Sequence, residues 1–258
     1  MQTEVKGLVI RTVDIKESDR LITIFTEEMG CVSALARGAR SHKSRKMSST
    51  MQFCYGNFIL YKQGDKYWIK EAELIESFFD IRQTIEGLAL ANYICEVLSD
   101  ITTEEAESEL LRLSLNSLYA IANAKYPVKK IKAVFEIRTA SIIGFMPDIL
   151  SCHKCGQKSG DFYFDIMGGV IECRDCRVYA EKTHEEHPDP HEAHIISILS
   201  EGAKIALGYA IYSPIERVFA FSVSDEDMHL FSRACEEYLL NQLGHSFKSL
   251  DFYKDVNR

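Results

Sequence analysis

Two Cys-x-x-Cys pairs, Cys152-His-Lys-Cys155 and Cys173-Arg-Asp-Cys176, stand seventeen residues apart and constrain this chain more than any other feature. Thiolates in such pairs, at this separation, close a tetrahedral structural zinc site. The stretch between them, Phe162 to Glu172, alternates bulky and smaller side chains around Gly168-Gly169. That pattern predicts a hairpin that delivers the second pair. Disulfides are disfavoured in a reducing cytosol, and two catalytic redox pairs seldom lie so close together. The expectation is one structural Zn2+ on Cys152, Cys155, Cys173 and Cys176, in a zinc ribbon spanning 150–178. Four sulfur ligands leave no open position for a substrate, so the function has to be sought elsewhere.

A length of 258 residues suits one small domain and one larger one. No run of about eighteen apolar residues occurs, and Met-Gln-Thr-Glu-Val-Lys-Gly lacks the profile of a signal peptide, so a cytoplasmic location without a membrane partner is expected. Cys31, Cys54, Cys95 and Cys235 lie in apolar segments and read as buried free thiols without a role. The net charge of -8 is unevenly spread: residues 1–80 carry 12 Lys+Arg against 11 Asp+Glu, and residues 81–258 carry 18 against 27. Nothing acidic occurs between Glu28 and Asp65, whereas Arg37, Arg40, Lys43, Arg45, Lys46 and Lys62 do. An acidic protein thus concentrates its cations in one segment, where an anionic polymer would dock.

Strand patterns dominate residues 1–80. Val5 to Val13, Leu21 to Thr26, Cys31 to Ala36, Phe53 to Tyr61 and Tyr67 to Ile75 are short, apolar and rich in β-branched or aromatic residues, with turns between them. Five strands without a convincing helix predict a small closed barrel, with the oligonucleotide-binding (OB) fold leading. After Phe79 the spacing becomes three and four, which is helical through residues 85–121 and again from Val128 to Ile143 behind Pro127. A loop over Glu181 to Ala193, a helix from about Ile195 to Tyr209 and a last long helix from Ser224 to Gly244 complete the reading. The fold class expected is α+β in two parts: an OB-fold barrel at 1–80, then a mainly α-helical domain at 81–258 with the ribbon inserted.

This order of pieces resembles the RecO family of bacterial recombination mediators. The resemblance is carried by Asp19-Arg-Leu-Ile-Thr-Ile-Phe-Thr26 with Gly30, by Ala36-Arg-Gly-Ala-Arg40 with Lys43-Ser-Arg45, and by Glu71-Ala-Glu-Leu-Ile-Glu-Ser-Phe78. Phe135-Glu-Ile-Arg138 through Gly144-Phe-Met-Pro-Asp148 leads into the first cysteine pair in the same way. The likeness implies a non-enzymatic protein of DNA repair in the RecF pathway, associated with the nucleoid. Such a protein binds single- and double-stranded DNA, promotes annealing, and works with RecR and the single-stranded-DNA-binding protein (SSB) to help load RecA.

Phosphate contact needs cations on a backbone that can follow a polymer, and Arg37, Arg40, Lys43, Arg45 and Lys46 lie among Gly38 and several serines. The same run could be an ordinary solvated loop. Arg11, Arg20, Lys62 and Lys66 would extend the patch, and Trp68, between Lys66 and Lys70, is the ring to test for base stacking. Alternation places Tyr55 and Tyr61 on one strand face and Phe58 and Leu60 on the other. Lys129, Lys130 and Lys132 crowd a helix start, where cations oppose the dipole. Given that the family receives the acidic, aromatic-ended SSB tail through its helical domain, these lysines and Arg138 are candidates to rim a peptide cleft. An amphipathic core helix is the competing reading. His184, His187, His191 and His194 lack the spacing of a hydrolytic zinc site and read as solvated. The deaminase pattern, the phosphate-binding glycine loop and the nucleophile elbow are all missing. Two other classes remain as alternatives: a zinc-ribbon interaction adaptor and a thiol or zinc enzyme.

Overall fold

Residues 2–15, 17–101, 108–183 and 195–257 are described by the computed structural model. Alternating burial builds the amino-terminal part from β1 (Gln2–Ile15), β2 (Asp19–Thr26), β3 (Gly30–Ala36), β4 (Cys54–Gln63) and β5 (Lys66–Ser77). They form a closed barrel in the order β1-β2-β3-β5-β4, antiparallel throughout except where β3 meets β5. This is the OB topology expected from the strand pattern. Its core gathers Val5, Val9, Ile22, Ile24, Phe58 and Leu60, each large apolar side chain contributing about 1.5–3 kcal/mol on burial. On β4 the even positions from Cys54 to Leu60 face inward and Tyr55, Asn57, Ile59 and Tyr61 face outward, so the alternation read from the residues holds.

The barrel's tight curvature is visible where Gly7 faces Gly56 across β1 and β4. A Cβ on Gly7 would lie 2.5 Å from the Ile24 side chain, and one on Gly56 2.5 Å from the Glu73 carbonyl oxygen. Only a hydrogen fits at either position.

Beyond the barrel come a 3-10 turn at Phe79–Gln83, α1 (Ile85–Ile101), α2 (Ser108–Ala122) and α3 (Val128–Ile142). The ribbon strands β6 (Phe162–Asp165) and β7 (Val170–Cys173) follow, then α4 (Arg174–Thr183), β8 (Ile196–Leu199), α5 (Glu201–Tyr212), α6 (Asp225–Leu243) and α7 (Lys248–Val256). Two compact units result, one from residues 1–125 with 247–258, the other from 126–246. The first therefore adds α1, α2 and α7 to the barrel. Within it, Glu96 of α1 accepts the backbone N–H of Ser249 at 2.9 Å and holds the start of α7, while Tyr93 meets Phe247 edge-on with centroids 5.8 Å apart.

In the second unit α3 is buried along nearly its whole length, and β6 is flanked by β7 and β8 in a three-stranded sheet. The hydroxyl of Ser224 accepts the Asp227 N–H at the start of α6, and Gly244, at φ 76°, ends it as its position predicts. One element differs from expectation: Ile195 does not begin a helix. Ile196-Ser-Ile-Leu199 alternates in burial and pairs with β6, and α5 starts only after Ser200, whose hydroxyl accepts the Ala203 N–H at 3.1 Å. Helices α4 and α7 were not expected, and α4 runs into the segment read as a loop. The four histidines between 184 and 194 lie outside the described residues. Among the described residues no helix is long and apolar enough to cross a membrane.

Candidate nucleic-acid interface and metal centre

Residues 37–52 form a succession of turns pinned to the barrel. At its start Gly38 donates its N–H to Asp19 Oδ1 at 2.9 Å and Arg40 donates its N–H to the Ser18 carbonyl at 3.0 Å. The Arg40 guanidinium lies 3.2 Å from Asp14 Oδ2, and Arg20 takes the other oxygen of the same carboxylate at 3.0 Å. Further on, Lys46 Nζ donates to the Ile69 carbonyl at 3.0 Å, and the Thr50 hydroxyl closes a turn on the Lys46 carbonyl at 2.7 Å. Phe53, buried at φ 69°, ends the segment with its N–H on the Val9 carbonyl at 3.0 Å. A non-glycine residue holds that left-handed conformation only where its surroundings fix it.

These contacts divide the ten residues read as DNA-binding. Arg20, Arg40 and Lys46 anchor the segment, and burial, partly countered by Asp19, lowers the Lys46 pKa. Arg11, Arg37, Lys43, Arg45, Lys62 and Lys66 are exposed. Arg11, Lys43, Arg45 and Lys66 have no ion-pair partner among the described residues. Lys62 sits 5.6 Å from the Tyr67 ring centre, and the Arg37 guanidinium lies 4.0 Å above Trp68. The Trp68 indole, half-buried, pairs across the strands with Tyr61 at 6.4 Å and an interplanar angle of 17°. Asp14 and Asp19, which hold this segment through Arg20, Arg40 and the Gly38 N–H, are not among the residues that the sequence points to as a site.

The cysteine pairs converge as expected. The sulfurs of Cys152, Cys155, Cys173 and Cys176 all lie within 4.8 Å of one another, with Cys155 and Cys173 3.6 Å apart, so the cluster can hold a metal ion. The hairpin of β6 and β7 delivers Cys173, and α4 carries Cys176. Burial works to raise the Cys152 thiol, but backbone donors from Cys173, Cys155 and Lys154 outweigh it and bring its pKa down to about 6. Cys173 is pushed up by burial, and Cys176 by hydrogen bonds with its neighbouring thiols. Such a crowd cannot ionise fully unless a cation shares it. Lys154 of the first pair reaches Glu172 at 3.1 Å and ties it to β7. Of the other cysteines, Cys54, Cys95 and Cys235 are buried as expected, and Cys31 is half-buried. Burial takes the Cys95 thiol to about 12, far from reactivity.

The lysines at the start of α3 do not form an exposed rim. Lys132 is buried between Glu136 and Glu236, 2.7 Å from each. Burial opposes its charge, but the two carboxylates prevail and hold its pKa above the ordinary value. Lys130 is also buried, donating to the Phe221 carbonyl with its ammonium 4.2 Å from the Phe221 ring centre and 4.9 Å from that of Tyr126. Both are therefore withdrawn from the surface where a peptide cleft would need them. Lys129 remains exposed, 3.2 Å from His229 Nδ1, and Arg138 is half-buried.

An OB barrel bearing a rigid cationic segment, in one chain with a helical unit that carries a four-cysteine ribbon, defines a small class of proteins. The family models called "Recombination protein O N terminal" and "Recombination protein O C terminal" match residues 1–78 and 82–251. The chain belongs to the RecO family. It is 35% identical over 254 residues to the DNA repair protein RecO of Acetivibrio thermocellus, covering 98% of this chain and 96% of that protein. It is 27% identical over 251 residues to the DNA repair protein RecO of Clostridium acetobutylicum, covering 95% and 94%. The family is thus one of DNA repair and recombination.

Proposed function

We propose that the protein is a non-enzymatic mediator that binds single- and double-stranded DNA through the cationic face of its barrel. It anneals complementary strands and, with RecR, helps load RecA onto SSB-coated single strands in the RecF pathway, in a cytoplasmic, nucleoid-associated setting. Residues 1–80 carry the DNA and residues 81–258 the partner contacts. The observation that carries this reading is the division of labour in the basic segment. Arg20, Arg40 and Lys46 are used to fix it, leaving Arg11, Arg37, Lys43, Arg45, Lys62 and Lys66 at the surface of a preformed scaffold. Cations presented this way meet phosphates without first being ordered.

One Zn2+ on the four cysteines serves as a structural staple. Zinc–sulfur bonds of about 2.3 Å place tetrahedral sulfurs about 3.8 Å apart, which agrees with the 3.6 Å between Cys155 and Cys173. The acidic SSB tail is received by the helical domain, where Lys129 is the exposed cation of the stretch from Lys129 to Arg138 and Arg138 itself is half-buried. The test is a mobility shift with single strands and duplex at low and moderate salt, paired with an annealing assay. Both DNAs are expected to bind, and six phosphate contacts on duplex would lose about a thousandfold in affinity between about 50 and 200 mM salt. No binding, or binding indifferent to salt, would contradict the proposal.

A further inference from the structure

We infer that the ribbon is also an oxidative modification site, where a hydroperoxide converts Cys155 and Cys173 to a disulfide and so discharges the metal. This rests on the zinc reading above and adds which of the four sulfurs reacts first. The cysteines are presented unequally. Cys152 and Cys173 are 2% and 0% exposed and Cys176 is half-buried, whereas Cys155 is exposed. Every residue from His153 to Ser159 is exposed with it, so Cys155 lies in an open loop while Cys173 ends β7 beneath the surface. In a metal-bound set all four sulfurs are thiolates, so access selects the nucleophile. Cys152 is further quenched by the Cys173 N–H, which donates to its sulfur at 3.3 Å. A donor on a thiolate withdraws charge and lowers its nucleophilicity.

The partner for the reacting sulfur is already in place, since Cys155 and Cys173 lie 3.6 Å apart. A disulfide of about 2 Å requires an approach of roughly 1.5 Å, which a loop exposed at seven successive positions can supply. The Cys155 thiolate attacks one oxygen of the hydroperoxide, the O–O bond breaks, and the departing oxygen takes a proton from solvent, leaving Cys155 as a sulfenic acid. The Cys173 thiolate then attacks that sulfur and expels hydroxide, which takes a second proton and leaves as water. Two electrons pass in total from the two sulfurs to the peroxide oxygens. Cys152 and Cys176, one from each pair, are too few to hold an ion that needs four ligands. Cys54, Cys95 and Cys235 are buried and stand outside the cluster, which confines the reaction to the ribbon.

Zinc per chain is measured first in the purified protein, and its absence would overturn the zinc reading and the modification site with it. The zinc-loaded protein is then treated with hydrogen peroxide, with metal release followed by a chromophoric chelator and disulfides mapped by mass spectrometry of unreduced peptides. Release of the ion is expected together with a bond between Cys155 and Cys173, both reversed by a thiol reductant and added zinc. Cys155→His, which keeps a fourth ligand, is expected to slow release roughly tenfold, whereas Cys176→His leaves it nearly as fast as in the native chain. An ion retained under peroxide, equal protection by both variants, or a disulfide that omits Cys155 would overturn the modification site while leaving the zinc reading intact. Should Cys155→His fail to take up metal, trapping of the first sulfenic acid with dimedone in the native chain decides. Label on Cys155 supports the assignment, and label on any other cysteine overturns it.

Discussion

Lys132 shows how far a single charge can be from its apparent role. Its ammonium, with Glu136 and Glu236 each at 2.7 Å, joins α3 to α6 in the interior of the second unit. Removing one member of a buried pair strands the other, so Lys132→Met is expected to destabilise this unit by about 3–5 kcal/mol. Urea denaturation followed by circular dichroism measures this, and an unchanged midpoint would contradict it. The folded pKa is raised, so the contribution is complete below the ordinary value of 10.5 and fades only as pH climbs through the higher folded value. Arg20 and Arg40 on Asp14 are different: the shared carboxylate is itself half exposed to solvent, and each pair contributes about 0–1 kcal/mol. Their effect is geometric, since they set the course of the chain from residue 37 onward.

At the scale of elements, the ribbon depends on what its thiols share. Metal analysis of the purified protein is expected to give one ion per chain, with X-ray absorption showing four sulfur neighbours at about 2.3 Å and no oxygen. Cys176→Ser is expected to lose the ion, and a variant that retained it with unchanged coordination would contradict the assignment. The ribbon and the barrel strands were legible in the sequence because their signals are local: fixed cysteine spacing, and alternation along β4 that separates Phe58 and Leu60 from Tyr55 and Tyr61. Likewise α6 announces both its ends, through Ser224 and Gly244. By contrast β8 is four residues long, and Ile196-Ser-Ile-Leu199 is too short for its period to be separated from the helix behind it. The facing of the cations was illegible for another reason. Lys46 finds the Ile69 carbonyl, Lys130 the Phe221 carbonyl and Lys132 the Glu236 carboxylate, partners 23, 91 and 104 residues away.

For the molecule as a whole, the decisive property is where charge is placed. A chain of net charge -8 repels DNA unless its cations are gathered and held. The barrel gathers them and its anchoring contacts hold them, so the proposed function predicts that affinity for DNA comes from the exposed members of the set. The most direct test is the slope of log affinity for single-stranded DNA against log salt, in the native protein and in the double variant Lys43→Ala, Arg45→Ala. Each phosphate contact contributes about 0.7 to that slope on single strands, so the variant is expected to be shallower by about 1.4. An unchanged slope in a folded variant would show that these side chains do not meet the phosphates.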